Sequence, residues 1–182
     1  MLDINKFDKI IVANWKLNGS KDFIDAFFND LNPEVINSNS CGIICPPSIY
    51  LDKCFSKNKN FFLGAQNCSQ FNSGAYTGEI NAIMLRECNC NFCIVGHSER
   101  RMNFNDSNND VKVKSENLID NSINPIICIG ETLEQKKNGI TKEVIFEQIS
   151  SSLPETGSAN SVIIAYEPIW AIGSGLTPNL EE

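Results

Sequence analysis

Six short apolar segments recur along the chain, and each ends in a polar residue, a glycine or a proline. They begin at Lys9, Gly42, Phe61, Phe92, Pro125 and Val162. Each segment is nearly continuous rather than alternating, which is typical of strands that are covered on both faces. This repetition constrains the fold more than any other feature, because parallel strands must be joined by crossover connections.

Helical patterns lie between the apolar segments. Ser20 is placed to cap a helix with an apolar stripe through Phe23 and Phe27, and Thr141 is placed to cap a later helix. Similar patterns cover residues 79–87 and 110–119, and a brief helix follows Pro46. Six β-then-α units predict a parallel sheet with right-handed crossovers, either an open doubly wound sheet or a (β/α) barrel. Polar residues crowd the carboxyl ends of most strands, which favours the barrel.

Composition narrows the class of protein. The 182 residues suffice for one domain, and we expect a single domain over residues 1–182. The net charge of −7 argues against general nucleic-acid binding, which needs basic patches. We see neither a secretory signal nor an apolar run of membrane-spanning length, so we expect a cytoplasmic protein without membrane or nucleic-acid partners. In that compartment most of the eight cysteines should be small buried hydrophobes.

Four strand ends or loops carry groups suited to catalysis. Asn14 and Lys16 follow the first strand, His97 follows the fourth, and Glu167 follows the sixth. The flexible sequence GSG comes shortly after Glu167 and can donate backbone N–H groups to an anion. A carboxylate, one histidine and one lysine suggest proton transfer next to a carbonyl on an anionic substrate. The single histidine excludes a multi-histidine metal centre, and the serine-hydrolase, P-loop and dinucleotide-binding motifs are missing.

Several motifs together resemble the triosephosphate isomerase family. The chain contains ANWKLN, GAQN, GAYTGE, CIVGHSERR, CIGETLEQ and AYEPIWAIGSG in the order found in that family. The resemblance implies a parallel (β/α)8 TIM barrel, of which about six βα units are present. It also implies interconversion of dihydroxyacetone phosphate and D-glyceraldehyde 3-phosphate through an enediolate, in glycolysis and gluconeogenesis, with no cofactor and no metal.

The resemblance assigns roles to individual residues. Glu167 matches the catalytic base, and His97 matches the neutral imidazole that polarises the carbonyl. Lys16 matches the cation that steadies substrate and enediolate charge, with Asn14 as a hydrogen-bonding neighbour in substrate binding. Gly173 matches the part of a closing lid whose backbone holds the substrate phosphate.

Supporting roles follow in the same way. Glu99 matches an acidic residue near Lys16, while Ser98 and Cys128 match residues that support the site. Thr77 matches a loop tip that enters the site of a second subunit, which implies a homodimer. The lid hinges match residues 168–170 and 176–178, and we expect Arg100 and Arg101 to form structural ion pairs.

Two departures from the family pattern leave an alternative open. Leu176 stands where many relatives carry a lysine, a change that we expect to alter lid kinetics rather than chemistry. A complete barrel of this type has about 250 residues, and strands seven and eight are not found here. We expect the barrel domain to be incomplete at its C-terminus, as in a truncated record of a longer enzyme. The alternative function is a catalytically inactive, phosphosugar-binding fragment.

A second alternative is a zinc module. Cys88, Cys90, Cys93 and His97 could supply three thiolates and an imidazole for tetrahedral coordination. Structural zinc sites use tighter paired spacings, and these thiols straddle a predicted helix end and a strand. We therefore favour core cysteines over metal ligands.

Overall fold

The computed structural model describes residues 1–31, 39–58 and 60–179, and it contains one six-stranded sheet. All five strand pairs are parallel, and the strands lie side by side in chain order. The strands are β1 (Lys9–Asn14), β2 (Ser40–Cys45), β3 (Phe62–Ala65), β4 (Phe92–Val95), β5 (Asn124–Ile129) and β6 (Ile163–Tyr166). A doubly wound sheet would reverse its strand order at a switch point. The unreversed order confirms the predicted incomplete (β/α) barrel.

Seven α-helices connect the strands within the described residues. They are α1 (Lys21–Asp30), α2 (Leu51–Lys57), α3 (Ala82–Glu87), α4 (Ser98–Asn103), α5 (Asn108–Asp120), α6 (Leu133–Lys137) and α7 (Thr141–Ser152). Single 3-10 turns occur at Ile4–Lys6, Ser48–Tyr50 and Ile169–Ala171. No helix in the described ranges combines the length and the hydropathy needed to cross a membrane.

The helix caps test the predictions from local sequence. Ser20 accepts a hydrogen bond from the N–H of Phe23 and caps α1, as predicted. The prediction for Thr141 is wrong: Ile140 is the N-cap of α7 and provides no side-chain bond, while Thr141 is already helical. The short helices α4 and α6 were not predicted, because five or six residues are too few to show an apolar period.

Two apolar clusters lie on opposite faces of the sheet. The cluster under the helices includes Leu63, Val95 and Ile127, and the cluster inside the curl includes Ile94 and Ile126. Alternate residues of each strand therefore enter different clusters, as the period of two requires. Seven of the eight cysteines are buried and all eight are free thiols, which confirms the prediction that most cysteines are core residues.

The edge strands are less covered than predicted. Side chains of β2 to β5 are almost all buried, whereas Ile11 of β1 is 56% exposed and Tyr166 of β6 is 45% exposed. The prediction that every strand is covered on both faces is wrong for β1 and β6. Both strands are edges of the described sheet, so each has a hydrogen-bonded neighbour on one side only.

Candidate active site

The predicted site residues meet at the carboxyl ends of the strands. Asn14 is the last residue of β1, His97 follows β4 by two residues, and Glu167 follows β6 directly. Parallel strands bring these ends to one side of the sheet, where a cavity of about 510 Å³ opens. Its walls include Asn14, Lys16, Gln66, His97 and Glu99. The volume is sufficient for a small phosphorylated ligand.

His97 is held in one tautomer by the start of α4. It is the N-cap of that helix, and its Nδ1 accepts a hydrogen bond from the N–H of Glu99 at 3.2 Å. An Nδ1 that accepts carries no proton, so the imidazole is neutral and its proton is on Nε2. That Nε2 lies 3.1 Å from Oε1 of Glu167. The side chain is thus an oriented, neutral hydrogen-bond donor that points at a carboxylate.

The Glu167 carboxylate is surrounded by donors. Burial raises its pKa, but a hydrogen bond and favourable electrostatics from His97, the N–H of Ser98 at 3.5 Å and the nearby charge of Lys16 together lower it below its ordinary value. Since Nδ1 of His97 is already an acceptor, we attribute the lowering to the Nε2–H bond rather than to a protonated imidazole. Without substrate, Glu167 is an ionised carboxylate whose proton affinity is held down by its neighbours.

Cys128 lies behind this carboxylate. Burial and the neighbouring charge of Glu167 both raise the pKa of its thiol. The thiol therefore stays protonated and is a poor nucleophile. This position matches a supporting role beside the site.

Lys16 adopts a backbone conformation that is unusual for its residue type. Its φ of +52° lies in the left-handed region, and its N–H donates to Oδ1 of Asn14 at 3.0 Å. Nε2 of Gln66 donates to the carbonyls of Lys16 and Cys45 at 2.9 and 2.8 Å. The ammonium group of Lys16 pairs with Glu99 at 2.7 Å. These contacts hold the cation at the cavity wall, and the predicted proximity of Glu99 to Lys16 is confirmed.

Gln66 was missed as a functional residue by the sequence reasoning. It lies in the GAQN motif, which was recognised, but the motif itself gives no reason for the glutamine. Its partners, Lys16 just after β1 and Cys45 on β2, are 50 and 21 residues away, so only the fold shows the contact.

The predicted lid residues do not line the cavity. Gly173 and Gly175 have φ values of +67° and +75°, and an added Cβ at either would meet no atom within 4 Å. Both glycines are needed for the backbone conformation, since other residues rarely adopt it. The loop around Gly173 and Leu176 is exposed, and neither residue is among those that line the cavity.

A buried carboxylate binds residues at the predicted first lid hinge, residues 168–170. Glu131 accepts hydrogen bonds from the hydroxyl of Tyr166 at 3.1 Å and from Nε1 of Trp170 at 2.8 Å. The ammonium group of Lys136 lies 3.4 Å from the centroid of the Trp170 ring. Sequence reasoning missed Glu131, although it lies in the recognised CIGETLEQ motif.

Thr77 is exposed on the loop between β3 and α3. Neighbouring loop residues Gly78 and Glu79 line the cavity, and Phe71 stacks on Tyr76 with ring centroids 3.8 Å apart. The loop therefore reaches the rim of the site in its own chain. Its predicted insertion into a second subunit remains a prediction.

An ionic network is centred on Asp106. Asp106 pairs with Arg100 at 3.0 Å and with the buried Lys114 at 2.7 Å. Arg101 donates to the carbonyls of Gly96 and Cys128 at 2.7 and 3.2 Å, and burial lowers the pKa of its guanidinium. The ion-pair prediction is confirmed for Arg100, whereas the guanidinium of Arg101 forms hydrogen bonds to neutral groups.

The zinc alternative has no geometric support. Within residues 1–31, 39–58 and 60–179, no three histidine, cysteine or acidic side chains are arranged to hold a metal ion. Cys90 and Cys93 are buried in the core, where burial raises the pKa of both thiols, that of Cys90 to about 12. His97 instead binds Glu99 and Glu167.

Comparison with known proteins decides the family. A family model described as triosephosphate isomerase matches residues 9–182. The chain belongs to the triosephosphate isomerase family. Triosephosphate isomerase of Wolbachia sp. subsp. Brugia malayi (strain TRS) is 45% identical over 170 residues, which cover 93% of this chain and 70% of that protein. The enzyme of Mesomycoplasma hyorhinis is 44% identical over 181 residues, with coverage of 95% and 73%.

A solved structure agrees on the fold. The crystal structure of triosephosphate isomerase from Bartonella henselae superposes with a TM-score of 0.83 at 35% identity, covering 88% of this chain and 68% of that chain. The chain is thus similar to triosephosphate isomerases over most of its own length and about 70% of theirs. Membership in this family makes the chain an aldose–ketose isomerase, which needs a base next to a group that polarises a carbonyl.

Proposed function

We propose that the chain interconverts dihydroxyacetone phosphate and D-glyceraldehyde 3-phosphate by proton transfer through an enediolate. The observation that carries the proposal is the 3.1 Å approach between Nε2 of His97 and Oε1 of Glu167, which come from different strands. A base and a neutral donor at this distance can act on adjacent atoms of one small substrate. We assign no cofactor, because proton transfer between neighbouring carbons requires none.

Each polar group has one task in this mechanism. Glu167 removes a proton from the carbon next to the carbonyl and returns it to the other carbon. His97 donates its Nε2–H to the carbonyl oxygen, where negative charge develops, and takes up the proton that leaves the hydroxyl oxygen of the neighbouring carbon, so that the new carbonyl forms there. Lys16 attracts the anionic substrate, and Asn14 supports the backbone of Lys16 through its Oδ1. Glu99 positions the ammonium group of Lys16.

Substrate binding also raises the basicity of Glu167 in this proposal. The Nε2–H of His97 now donates to Glu167 and lowers its pKa. A substrate carbonyl that accepts this hydrogen bond takes the donor away from the carboxylate. Removal of water by the closing lid then favours the protonated form of Glu167 further. The base is therefore ionised and weakly basic before binding, and more basic once substrate is present.

The lid supplies the phosphate contact. We propose that backbone N–H groups around Gly173 reach the phosphate when residues 168–170 and 176–178 rotate. An enediol phosphate exposed to water eliminates its phosphate, so closure protects the intermediate. Leu176 lies in the second hinge and sets the kinetics of this motion rather than the chemistry.

A homodimer formed through the Thr77 loop is a further part of the proposal, as is a cytoplasmic location in glycolysis and gluconeogenesis. Two large apolar side chains that line the cavity, Leu17 and Phe104, are exposed, and so is Tyr76 beside Thr77. Such exposure is typical of an interaction surface. Sedimentation of the wild-type chain beside Thr77→Glu should show a larger particle for the wild type.

The catalytic assignment is tested with Glu167→Asp. Shortening the side chain withdraws the carboxylate from the reacting carbon, and a shift of about 1 Å can lower turnover about 10²-fold. We expect kcat to fall by at least that factor in a coupled isomerase assay while KM changes little. Glu155→Asp is the matched control, because Glu155 is exposed and its carboxylate forms a surface ion pair with Lys112.

Unchanged turnover in Glu167→Asp would refute the assignment of the base. The inactive, phosphosugar-binding fragment predicts a different result, in which the wild-type chain binds triose phosphate without turning it over. No observation on the described residues favours that alternative. Titration with triose phosphate beside the assay separates the two functions.

A further inference from the structure

The main chain around Glu167 is hydrogen-bonded to residues 129–131, a segment to which we assign no catalytic role. The N–H of Glu167 donates to the carbonyl of Ile129 at 2.7 Å, and the N–H of Ile169 donates to the carbonyl of Glu131 at 3.1 Å. Residues 129–131 therefore run beside residues 167–169. Between these two hydrogen bonds lies Gly130.

Gly130 is in direct contact with the backbone of Glu167. A Cβ built on Gly130 would lie 2.8 Å from the carbonyl carbon of Glu167 and would overlap its carbonyl oxygen. Only a glycine allows the two chains to approach so closely. A displacement of Gly130 is therefore transmitted to the main chain that carries Glu167.

Both polar groups of Gly130 are bound by one side chain. Oε1 of Gln148 accepts from the N–H of Gly130 at 2.8 Å, and Nε2 of Gln148 donates to the carbonyl of Gly130 at 3.0 Å. Gln148 lies on α7, and Ile145 and Ile149 of the same helix pack against the core. The primary amide is thus carried by the helix and satisfies both the N–H and the carbonyl of Gly130.

We infer that Gln148 is a positioning residue for the isomerase reaction: it sets the location of the Glu167 carboxylate through Gly130. The inference rests on the proposed role of Glu167 as the base. A loss of the Gln148 bonds should let Gly130 and residues 167–169 shift together, with no change at the cavity wall formed by Lys16. The expected signature is therefore a loss of kcat at nearly constant KM.

The chain offers a reporter that does not depend on turnover. His97 is its only histidine, and Nε2 of His97 binds the Glu167 carboxylate. Its imidazole NMR signals are therefore assigned without ambiguity, and they respond to a change in this hydrogen bond. A merely structural role for Gln148 would lower stability and leave these signals in place.

The experiment compares Gln148→Met with wild type. Methionine is similar in length and apolar, so both bonds to Gly130 are lost while the packing volume is kept. We expect kcat to fall about tenfold or more, because small misplacements of a base are costly, with KM within about twofold. We expect the Nε2–H signal of His97 to shift in the same variant.

Phe146→Ala is the control on the same helix, since Phe146 is largely exposed. It should change neither kcat nor the His97 signals. Gly130→Ala should reproduce the effect of Gln148→Met from the other side of the contact. If that variant fails to fold, Gln148→Met still decides the question.

The result that would overturn the inference is an unchanged His97 signal and unchanged kcat in Gln148→Met. If Glu167 is not the base, so that the proposed function fails, the measurements give a different result. In that case Glu167→Gln keeps its turnover, and the inference falls together with the base. Loss of turnover in Glu167→Gln, with no effect of Gln148→Met, would remove the inference alone.

Discussion

The two strands that carry the central pair of the site differ in how firmly they are held. β4 has neighbours on both sides and all four of its residues are buried, and His97 beyond it is 5% exposed. β6 is an edge of the described sheet with alternate residues exposed, and the side chain of Glu167 beyond it is 24% exposed. Within the described sheet, His97 thus follows an interior strand and Glu167 follows an edge strand.

The two groups are therefore held by different contacts in the described residues. His97 is the N-cap of α4, and the N–H of Glu99 fixes its tautomer by donating to Nδ1. Glu167 follows the last strand of the described sheet, in a chain that spans 70% of the length of a relative. Its main chain is held by residues 129–131, where the carbonyl of Ile129 accepts a hydrogen bond from the N–H of Glu167.

The largest expected effect is a loss of folding stability when a buried ion pair is broken. Asp106→Asn removes the charge that pairs with Lys114, whose side chain is only 5% exposed. An uncompensated buried charge costs about 3–5 kcal/mol. We expect the free energy of unfolding to fall by that amount in urea titrations. A loss no larger than that measured for a surface ion pair would contradict this expectation.

Glu155→Gln provides that surface reference. It breaks the pair between Lys112 and Glu155, in which the Glu155 side chain is 87% exposed. Exposed ion pairs contribute about 0–1 kcal/mol. The two variants change the same kind of group, so the difference between them reports burial.

Acid should lower the folding stability of the chain by a smaller amount. Burial raises the pKa of Asp106, but hydrogen bonds from Lys114 and Arg100 outweigh it and leave the pKa below its ordinary value. The pKa of Glu167 is also lowered. A lowered folded pKa means that the unfolded chain binds protons more readily, so stability is lost as pH falls.

The expected window follows from the ordinary carboxyl values. The contribution of both groups is complete above about pH 5 and declines below about pH 4 as pH approaches their folded pKa values. Urea midpoints measured across this range should show the decline. In Asp106→Asn the decline should be shallower, and an equal slope would assign the acid sensitivity to other groups.

The smallest expected effect concerns residues 168–170, the predicted first hinge of the lid. Lys136→Met removes the cation above the Trp170 ring, a contact that contributes about 0.5–1 kcal/mol at an exposed site. We expect the hinge to loosen, with a small change in the fluorescence of Trp170 and little change in global stability. Trp170→Phe identifies which part of the emission belongs to Trp170, since Trp15 is the other tryptophan.

Much of the fold was predicted correctly from local sequence. Continuous apolar runs predicted the position of all six strands, because burial on both faces leaves a run rather than an alternation. The same reasoning failed at the exposed faces of Ile11 and Tyr166, since a run does not reveal which strands lie at an edge. Ser20 was predicted as a cap because its bond to Phe23 spans three residues.

The site was predicted only in part. The roles of His97, Glu167 and Lys16 came from motifs that resemble a known family, and the structure brings these residues together. The residues that hold them were missed. Gln148 acts on Gly130 and Glu131 acts on Trp170, across 18 and 39 residues of chain.

The sequence by itself determined which groups have the chemistry: one neutral donor, one carboxylate and one cation at the ends of buried strands. Periodicity and short motifs are local properties, and these residues carry them. Only the tertiary structure decided the tautomer of His97, the lowered pKa of Glu167 and the anchoring of the lid. Each of these depends on a distance between groups far apart in the chain, and electrostatic and hydrogen-bond energies are set by that distance.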